Sequence, residues 1–390
     1  MKSATVFSDY LNHHQTAFAE AMMNENIDFM FVATTPFNEK RKEMGYRDMN
    51  QAEYVLRAYE NKENESKAYH LAETSDIVII GAASMKYAIQ RLKKGGITYK
   101  ATERYFKQGV DLLHFPRNYG RLLKNYIIQG QRYPLYILCS SAYTAYDVNL
   151  FSNYKGKCFK WGYFLEEPAE DYGCLRKQKE DETVRIIWAG RFLRWKHPEL
   201  LVELANSLKE NHYSFSMDII GDGVMASKIK QKINEYHLKE YINLLGYIPP
   251  KKVQEHMKRA NIFLLTSDFN EGWGVVLNEA MKNGCSVIAS HACGSAPFLI
   301  NNGINGFIYK NGDIEHLTQI CKRLINDREL RDKTGKNAYD DMKQIWNSRI
   351  GAKRLLELTN AIKNGKDYCL YENGPCSSAH ILANNWFNVQ

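Results

Sequence analysis

The run NEGWGVVLNEAMKNGCSVIAS, residues 270–290, holds the groups best suited to chemistry. It carries two carboxylates, Glu271 and Glu279, with seven residues between them, and the glycines Gly272 and Gly274. Apolar stretches flank it, FLLTSDFN before and SVIAS within its end. The pattern predicts a helix over Trp273–Asn283, closed by Gly284 in a left-handed cap. Free backbone N–H groups at a helix start favour an anion, and a missing Cβ lets a phosphate come close. Carboxylates repel a phosphate, so Glu271 and Glu279 need another role, and accepting hydrogen bonds from hydroxyls is one. A nucleotide sugar has hydroxyls on both sides of its phosphates. Glu271 would then face the sugar ring and Glu279 the ribose. The same residues also read as an acidic first turn complementing a helix dipole, plus a solvated glutamate.

The elements that must position these groups follow an alternating pattern of short apolar and longer amphipathic runs, typical of parallel sheets flanked by helices. In the first half, strands are expected at Ala4–Ser8, Asp28–Ala33, Ile77–Gly81, Thr98–Ala101, Leu135–Cys139 and Cys158–Trp161, with helices at Gln15–Asn24 and Asn50–Asn61. In the second half, strands are expected at Val184–Ala189, Ser216–Ile220, Ile242–Gly246, Ile262–Leu265, Ser286–Ala289 and Phe307–Tyr309. Helices there are expected at Pro198–Asn211, Met225–Tyr236, Lys251–Arg259, Asp313–Asn326 and Ser348–Lys363. The polar stretch Glu166–Glu182 reads as a linker. The fold class is α/β, with two Rossmann-like domains over residues 1–165 and 183–347, then a helix and tail over 348–390. Ligands in such sheets bind beyond the carboxyl ends of the strands.

Size and composition agree. The chain has 390 residues, 44% of them hydrophobic, enough for more than one core. Its net charge of +8 does not single out nucleic acid. Eight cysteines without a C-x-x-C pair suit reduced thiols in the cytoplasm. No D-x-D follows a strand, and no His/Cys spacing fits a metal site.

The segment EGWGVVLNEAM resembles the signature of family 4 retaining glycosyltransferases (glycosyl transferases group 1, GT-B fold). GRFLRWKHPEL (190–200), IIGDGV (219–224), LLGYIPPKKV (244–253), CGSAPFLINNGINGFIY (293–309) and NGD (311–313) match the family in order and spacing. The resemblance implies a donor/acceptor cleft between the domains, a C-terminal helix crossing back, and retention of anomeric configuration. It implies that Arg191 and Lys196 grip the donor's phosphates in place of a metal, with Glu271, as the catalytic groups. Donor contacts would come from Gly190, Gly246, Tyr247, Ile248, Gly272, Trp273, Gly274, Val275, Glu279, Gly294 and Ser295. No cofactor or metal is expected. The partners would be a nucleotide sugar, UDP-linked by family frequency, and a glycan or polyprenyl-diphosphate-linked acceptor in surface polysaccharide assembly.

The first half resembles the family less. Asn12, His13 and His14 stand on the acceptor side where many relatives have a glycine-rich loop; one histidine would contact the acceptor or the diphosphate, or both are solvated loop residues. Glu103 and Arg104 stand where relatives end a strand near a catalytic histidine; they line the acceptor side or pair with charges of their own domain. His114 lies ten residues further on. Between Ser84 and Pro134, eleven Lys/Arg face two acids, a local charge of +9. That window fits either peripheral contact with an anionic membrane or a solvated basic face. The alternatives to transfer are an epimerase, a phosphorylase, or a non-catalytic nucleotide- or nucleic-acid-binding protein.

Overall fold

The computed structural model describes residues 1–39, 42, 47–107, 120, 130 and 132–388. The chain divides into two compact units. One comprises Met1–Glu166 and Trp346–Asn384, the other Glu167–Ile345 and Asn385–Gln390.

The first unit carries seven strands: β1 (Ser3–Ser8), β2 (Asp28–Ala33), β3 (Val55–Arg57), β4 (Ile77–Ile80), β5 (Thr98–Thr102), β6 (Leu135–Cys139) and β7 (Cys158–Lys160). They form one sheet in the order β3-β2-β1-β4-β5-β6-β7. The second unit carries six: β8 (Val184–Ala189), β9 (Phe215–Ile220), β10 (Ile242–Gly246), β11 (Ile262–Leu265), β12 (Ser286–Ser290) and β13 (Phe307–Tyr309). Their order is β10-β9-β8-β11-β12-β13. Neighbouring strands are parallel in both sheets. Both orders contain the Rossmann arrangement, which reverses beside the first strand of each sheet. The central strands β4 (IVII) and β11 (IFLL) are buried at every position, as helices on both faces require.

Three expectations are corrected. Residues 50–61 are not a helix. Val55–Arg57 pairs with β2 as an edge strand, and the helix that follows is Lys62–Thr74. The Asn61 side chain caps that helix by accepting from the Asn64 N–H at 2.8 Å, so helix begins only after it. The stretch 166–182 is not a free linker. It contains the helix Tyr172–Lys177, whose Leu175 is buried, and the Tyr172 hydroxyl donates to the Asp332 carbonyl at 2.8 Å. The predicted helix at Trp273 begins three residues later, at Val276, because Gly274 adopts φ +85°. The C-terminal helix crosses back as the resemblance implies: residues 346–384 group with the first unit. The helix Ser348–Lys363 packs on His13–Asn24, and Lys160 and Cys376–Ala379 exchange main-chain hydrogen bonds along β7. That covers a sheet edge that would otherwise present open N–H and C=O groups. A further helix, Arg328–Gln344, escaped the sequence reading because its buried face is mostly small or polar: Thr334, Gly335, Ala338, Tyr339 and Met342.

All eight cysteines are unpaired. Among the described residues no helix is long and apolar enough to cross a membrane.

Candidate functional site

In the second unit, polar groups gather beyond β8 and β11. Gly190 follows β8. A Cβ there would meet the Trp188 ring at 3.1 Å and Lys196 Cδ at 3.3 Å, so the backbone leaves room only for hydrogen. The turn Arg194–Lys196 is pinned to the end of β11. Thr266 Oγ1 donates to the Lys196 carbonyl at 2.6 Å and accepts from Trp188 Nε1 at 3.0 Å, while the Asp268 N–H donates to the Trp195 carbonyl at 2.9 Å. His197 follows in the left-handed region, φ 48°. Its ring lies 3.4 Å from an Asp268 oxygen and 2.9 Å from a Glu199 oxygen, and hydrogen bonds to these carboxylates, Asp268 first, raise its pKa to about 9. Pro198, expected as the first helical residue, is instead the N-cap of Glu199–Glu210.

This scaffold delivers Lys196 to Glu271. Lys196 Nζ lies 2.5 Å from Glu271 Oε2, which also accepts from Ser267 Oγ at 2.9 Å. Glu271 Oε1 has no hydrogen-bond partner among the described residues. Gly274 sits against this carboxylate: a Cβ would lie 3.2 Å from Glu271 Cγ and 3.0 Å from Cys293 Sγ. The Gly294 N–H reaches the Glu271 carbonyl at 3.3 Å, and burial pushes the Cys293 thiol up to about 12. Gly190, Lys196, Glu271, Gly274 and Gly294 thus form one constellation. Arg191, next to Gly190, is exposed, and its guanidinium has no partner among the described residues. A free guanidinium, a buried-edge ammonium and a half-satisfied carboxylate are suited to hold an anion beside a hydroxyl-bearing group.

Glu279 lies on the helix Val276–Lys282, half-buried, without a hydrogen bond from its carboxylate to any described residue. Burial raises its pKa to about 7, against the opposing pull of Lys282. Gly246 ends β10 at φ +66°, and its carbonyl accepts from the Gly221 N–H at 2.8 Å. Tyr247 beyond it is 56% exposed, and Ile248 is half-buried. Gly272 is buried, and Val275 is a half-buried helix cap. Two of the expected donor residues have side chains closed off from solvent. The Trp273 side chain is buried, donating from Nε1 to Asn278 Oδ1 at 2.8 Å, and Ser295 is fully buried. Ser267 and the His197–Asp268 pair were missed, although polar residues directly after the apolar strand IFLL were a signal.

The first unit holds a cavity of ≈ 510 Å³ beyond and beneath the ends of β1, β4 and β5. His14 and Glu103 line it. Glu103 accepts from the Tyr163 hydroxyl at 3.2 Å and pairs with Lys107 at 3.6 Å. His13 is exposed, its ring 3.7 Å from that of His14. Asn12 also borders the cavity, but its carboxamide accepts from the His14 N–H at 3.1 Å in a capping box. Of the two readings open for Arg104, the structure has the ion pair within its own unit. Arg104 is buried against Asp147 at 3.1 Å, and Asp147 also accepts from the Tyr105 and Phe106 N–H groups. It is a structural ion pair.

Among the described residues, several cations of the basic window are already engaged within the protein. Lys86 and Lys94 pair with Glu65 and Glu73, and Arg91 donates to main-chain carbonyls. Arg104 is taken by Asp147 and Lys107 by Glu103. Arg117, Arg121, Lys124, Asp111 and His114 lie outside the described residues.

Residues 175–341 match the family described as Glycosyl transferases group 1. The second unit is a group 1 glycosyltransferase domain. Curated relatives include the amylovoran biosynthesis glycosyltransferase AmsK of Erwinia amylovora, 30% identical over 148 residues, 37% of this chain and 36% of that protein. The phosphatidylinositol N-acetylglucosaminyltransferase GPI3 subunit of Saccharomyces cerevisiae is 24% identical over 192 residues, 49% of this chain and 42% of that protein. The chain therefore spans less than half of the length of the curated relatives it matches, from 16% to 48%. Among solved structures, Anabaena HepE in complex with UDP superposes with a TM-score of 0.68 at 15% identity, covering 93% of this chain and 100% of that one. S. aureus TarM, crystallised with UDP among its ligands, gives 0.64 at 13% identity, covering 92% and 100%. These likenesses show the GT-B fold, and their coverage takes in both units.

Proposed function

We propose that this chain is a retaining, metal-independent glycosyltransferase. It moves a sugar from a nucleotide sugar, UDP-linked in our reading, to a hydroxyl of a glycan or lipid-linked acceptor in surface polysaccharide assembly. The observation that carries this reading is the Lys196–Glu271 pair beside Gly190, set within a group 1 domain. UDP in the HepE and TarM structures and the polysaccharide role in the name of AmsK support the choice of donor and pathway class. We place the protein in the cytoplasm, where its unpaired thiols stay reduced.

Departure of a nucleoside diphosphate develops negative charge, and the cations Lys196 and Arg191 stabilise it without a divalent ion. When the diphosphate takes Lys196, Glu271 is released to accept hydrogen bonds from the sugar. Glu279, unpartnered, accepts from the ribose hydroxyls. With no carboxylate set apart as a nucleophile, the acceptor hydroxyl attacks on the face the diphosphate leaves, and a phosphate oxygen takes its proton. The first unit holds the acceptor. Turnover of UDP-sugars by the purified chain, with and without a glycan acceptor and in EDTA, tests this. Acceptor-dependent UDP release that survives EDTA is expected. Sugar epimerisation without acceptor, or turnover requiring free phosphate, would replace it with the epimerase or phosphorylase reading.

A further inference from the structure

Other cations withdrawn from solvent in this chain, Lys179, Arg91 and Arg104, each donate to more than one protein group. Lys179 donates to the Met257 and Ala260 carbonyls at 3.1 and 2.5 Å and to Cys285 Sγ at 3.9 Å. Arg91 donates to the carbonyls of Ala72, Ser75, Asp76 and Ile97. Arg104 has Asp147 and Asn384. Lys100 is different. It is 6% exposed, it lines the first unit's cavity, and its amine donates only to the Gly81 carbonyl among the described residues. No described carboxylate pairs with it. An ammonium has three donors, so two remain, and a desolvated charge without a counter-ion is costly. Burial accordingly lowers its pKa to about 8.

The rest of the cavity has the character of a sugar site. Trp161 and Tyr163 are aromatic residues of its lining, and Asp9 and Glu103 supply hydrogen-bond acceptors. Both carboxylates are partly engaged already. Asp9 accepts from the Ser8 hydroxyl at 2.9 Å, and Glu103 is balanced by Lys107.

We propose that this cavity is an acceptor subsite for a sugar bearing a carboxylate or phosphate group, with the Lys100 amine as its counter-ion. The proposal rests on the glycosyltransferase reading above and names the acceptor's chemical class. The Lys100 ammonium acts as a point charge, with two N–H donors left for the oxygens of a carboxylate or phosphate. Asp9 and Glu103 repel an anion placed beside them and attract hydroxyls. The acidic group is therefore directed to the Lys100 side and the sugar hydroxyls to the carboxylates. A neutral sugar leaves the ammonium without its counter-ion.

The test is calorimetric titration of the full chain, with UDP present, against glucuronic acid, glucose 6-phosphate and glucose. At least one acidic sugar is expected to bind about tenfold more tightly than glucose, and which one does so distinguishes carboxylate from phosphate. Lys100→Met is expected to erase that preference. Equal binding of all three sugars, or a preference that survives Lys100→Met, overturns the proposal. If the variant does not fold, the wild-type chain still decides. The preferred acidic sugar must slow acetylation of Lys100, read by mass spectrometry, while glucose must not; equal rates overturn the proposal. Failure of the wild type to bind UDP would strike at the glycosyltransferase reading, whereas UDP binding without acid preference defeats only this inference.

Discussion

Beyond β8 and β11, Lys196 is held by Glu271 at 2.5 Å, and the same Glu271 oxygen by Ser267. On β5 of the other unit, Lys100 has one carbonyl and an open cavity. Both lysines are attached to Rossmann-like sheets and both are largely buried, 12% exposed at the Lys196 side chain and 6% at Lys100. The difference is in who neutralises them. Lys196 carries its own carboxylate, which fixes its position before any ligand arrives and must be shared or displaced when a diphosphate binds. Among the described residues Lys100 has no such partner, and in our proposal a ligand supplies the charge. A site that neutralises itself is preorganised for one recurrent anion. A site left uncompensated selects its ligand by charge.

The strongest way to break this comparison is to remove the self-neutralising pair. Lys196→Ala and Glu271→Ala should each reduce transfer by roughly 10²–10³-fold or more. Circular dichroism should show both variants folded. Full turnover in purified Lys196→Ala would contradict the placement of the donor phosphates.

A second prediction concerns the structural pair that the sequence offered as an acceptor contact. Asp147→Ala strands Arg104 in a buried position and should cost about 3–5 kcal/mol. Thermal unfolding should show the transition of the first unit moving to lower temperature. UDP binding, measured separately, should persist. A variant as stable as the wild type would mean that Arg104 is free to serve a ligand.

Gly274→Ala sharpens the positioning of Glu271. It places a Cβ 3.2 Å from Glu271 Cγ at φ +85°, where an L-residue costs roughly 1–2 kcal/mol. Turnover should fall about tenfold, while Gly246→Ala, with open space around its Cβ but a similar φ, should affect stability more than catalysis.

The smallest effect is pH-dependent. Glu279 titrates near 7 in the folded chain, above its ordinary value of 4.5. Because the folded pKa is raised, its ionisation opposes folding. Stability is lost as pH rises from about 4.5 through 7 and levels off above. Glu279→Gln should match the wild-type melting temperature near pH 4.5 and exceed it at pH 8. Its affinity for UDP at pH 8 should be lower, since an ionised carboxylate is the stronger acceptor of the ribose hydroxyls. An unchanged difference in melting temperature across this range would mean that Glu279 is not desolvated.

The donor half was legible because its residues are close in sequence and their neighbours are constrained. Glycines at 190, 274 and 294 and the charges at 191, 196 and 271 stand in order along one domain. The first unit was less legible. Val55–Arg57 is too short an edge strand to show a period, and Asn61 looked like the end of a helix that it in fact begins. Arg104 could not be separated from a ligand-binding cation until Asp147, 43 residues away, was seen beside it. Lys100 was counted only as one charge in a basic window. Its place in the strand TYKAT, on an inward-facing position, was the available signal.

The sequence by itself determined the two parallel sheets, because strands buried on both faces must be written as continuous apolar runs. It also determined the order of the donor motifs, because each sits in the loop directly after its strand. Only the tertiary structure decided which charges meet. Ion pairing depends on distances between loops far apart in the chain, and composition does not encode them. That is why Lys196 and Glu271, Arg104 and Asp147, and the solitary amine of Lys100 could be told apart only once the two sheets had placed them.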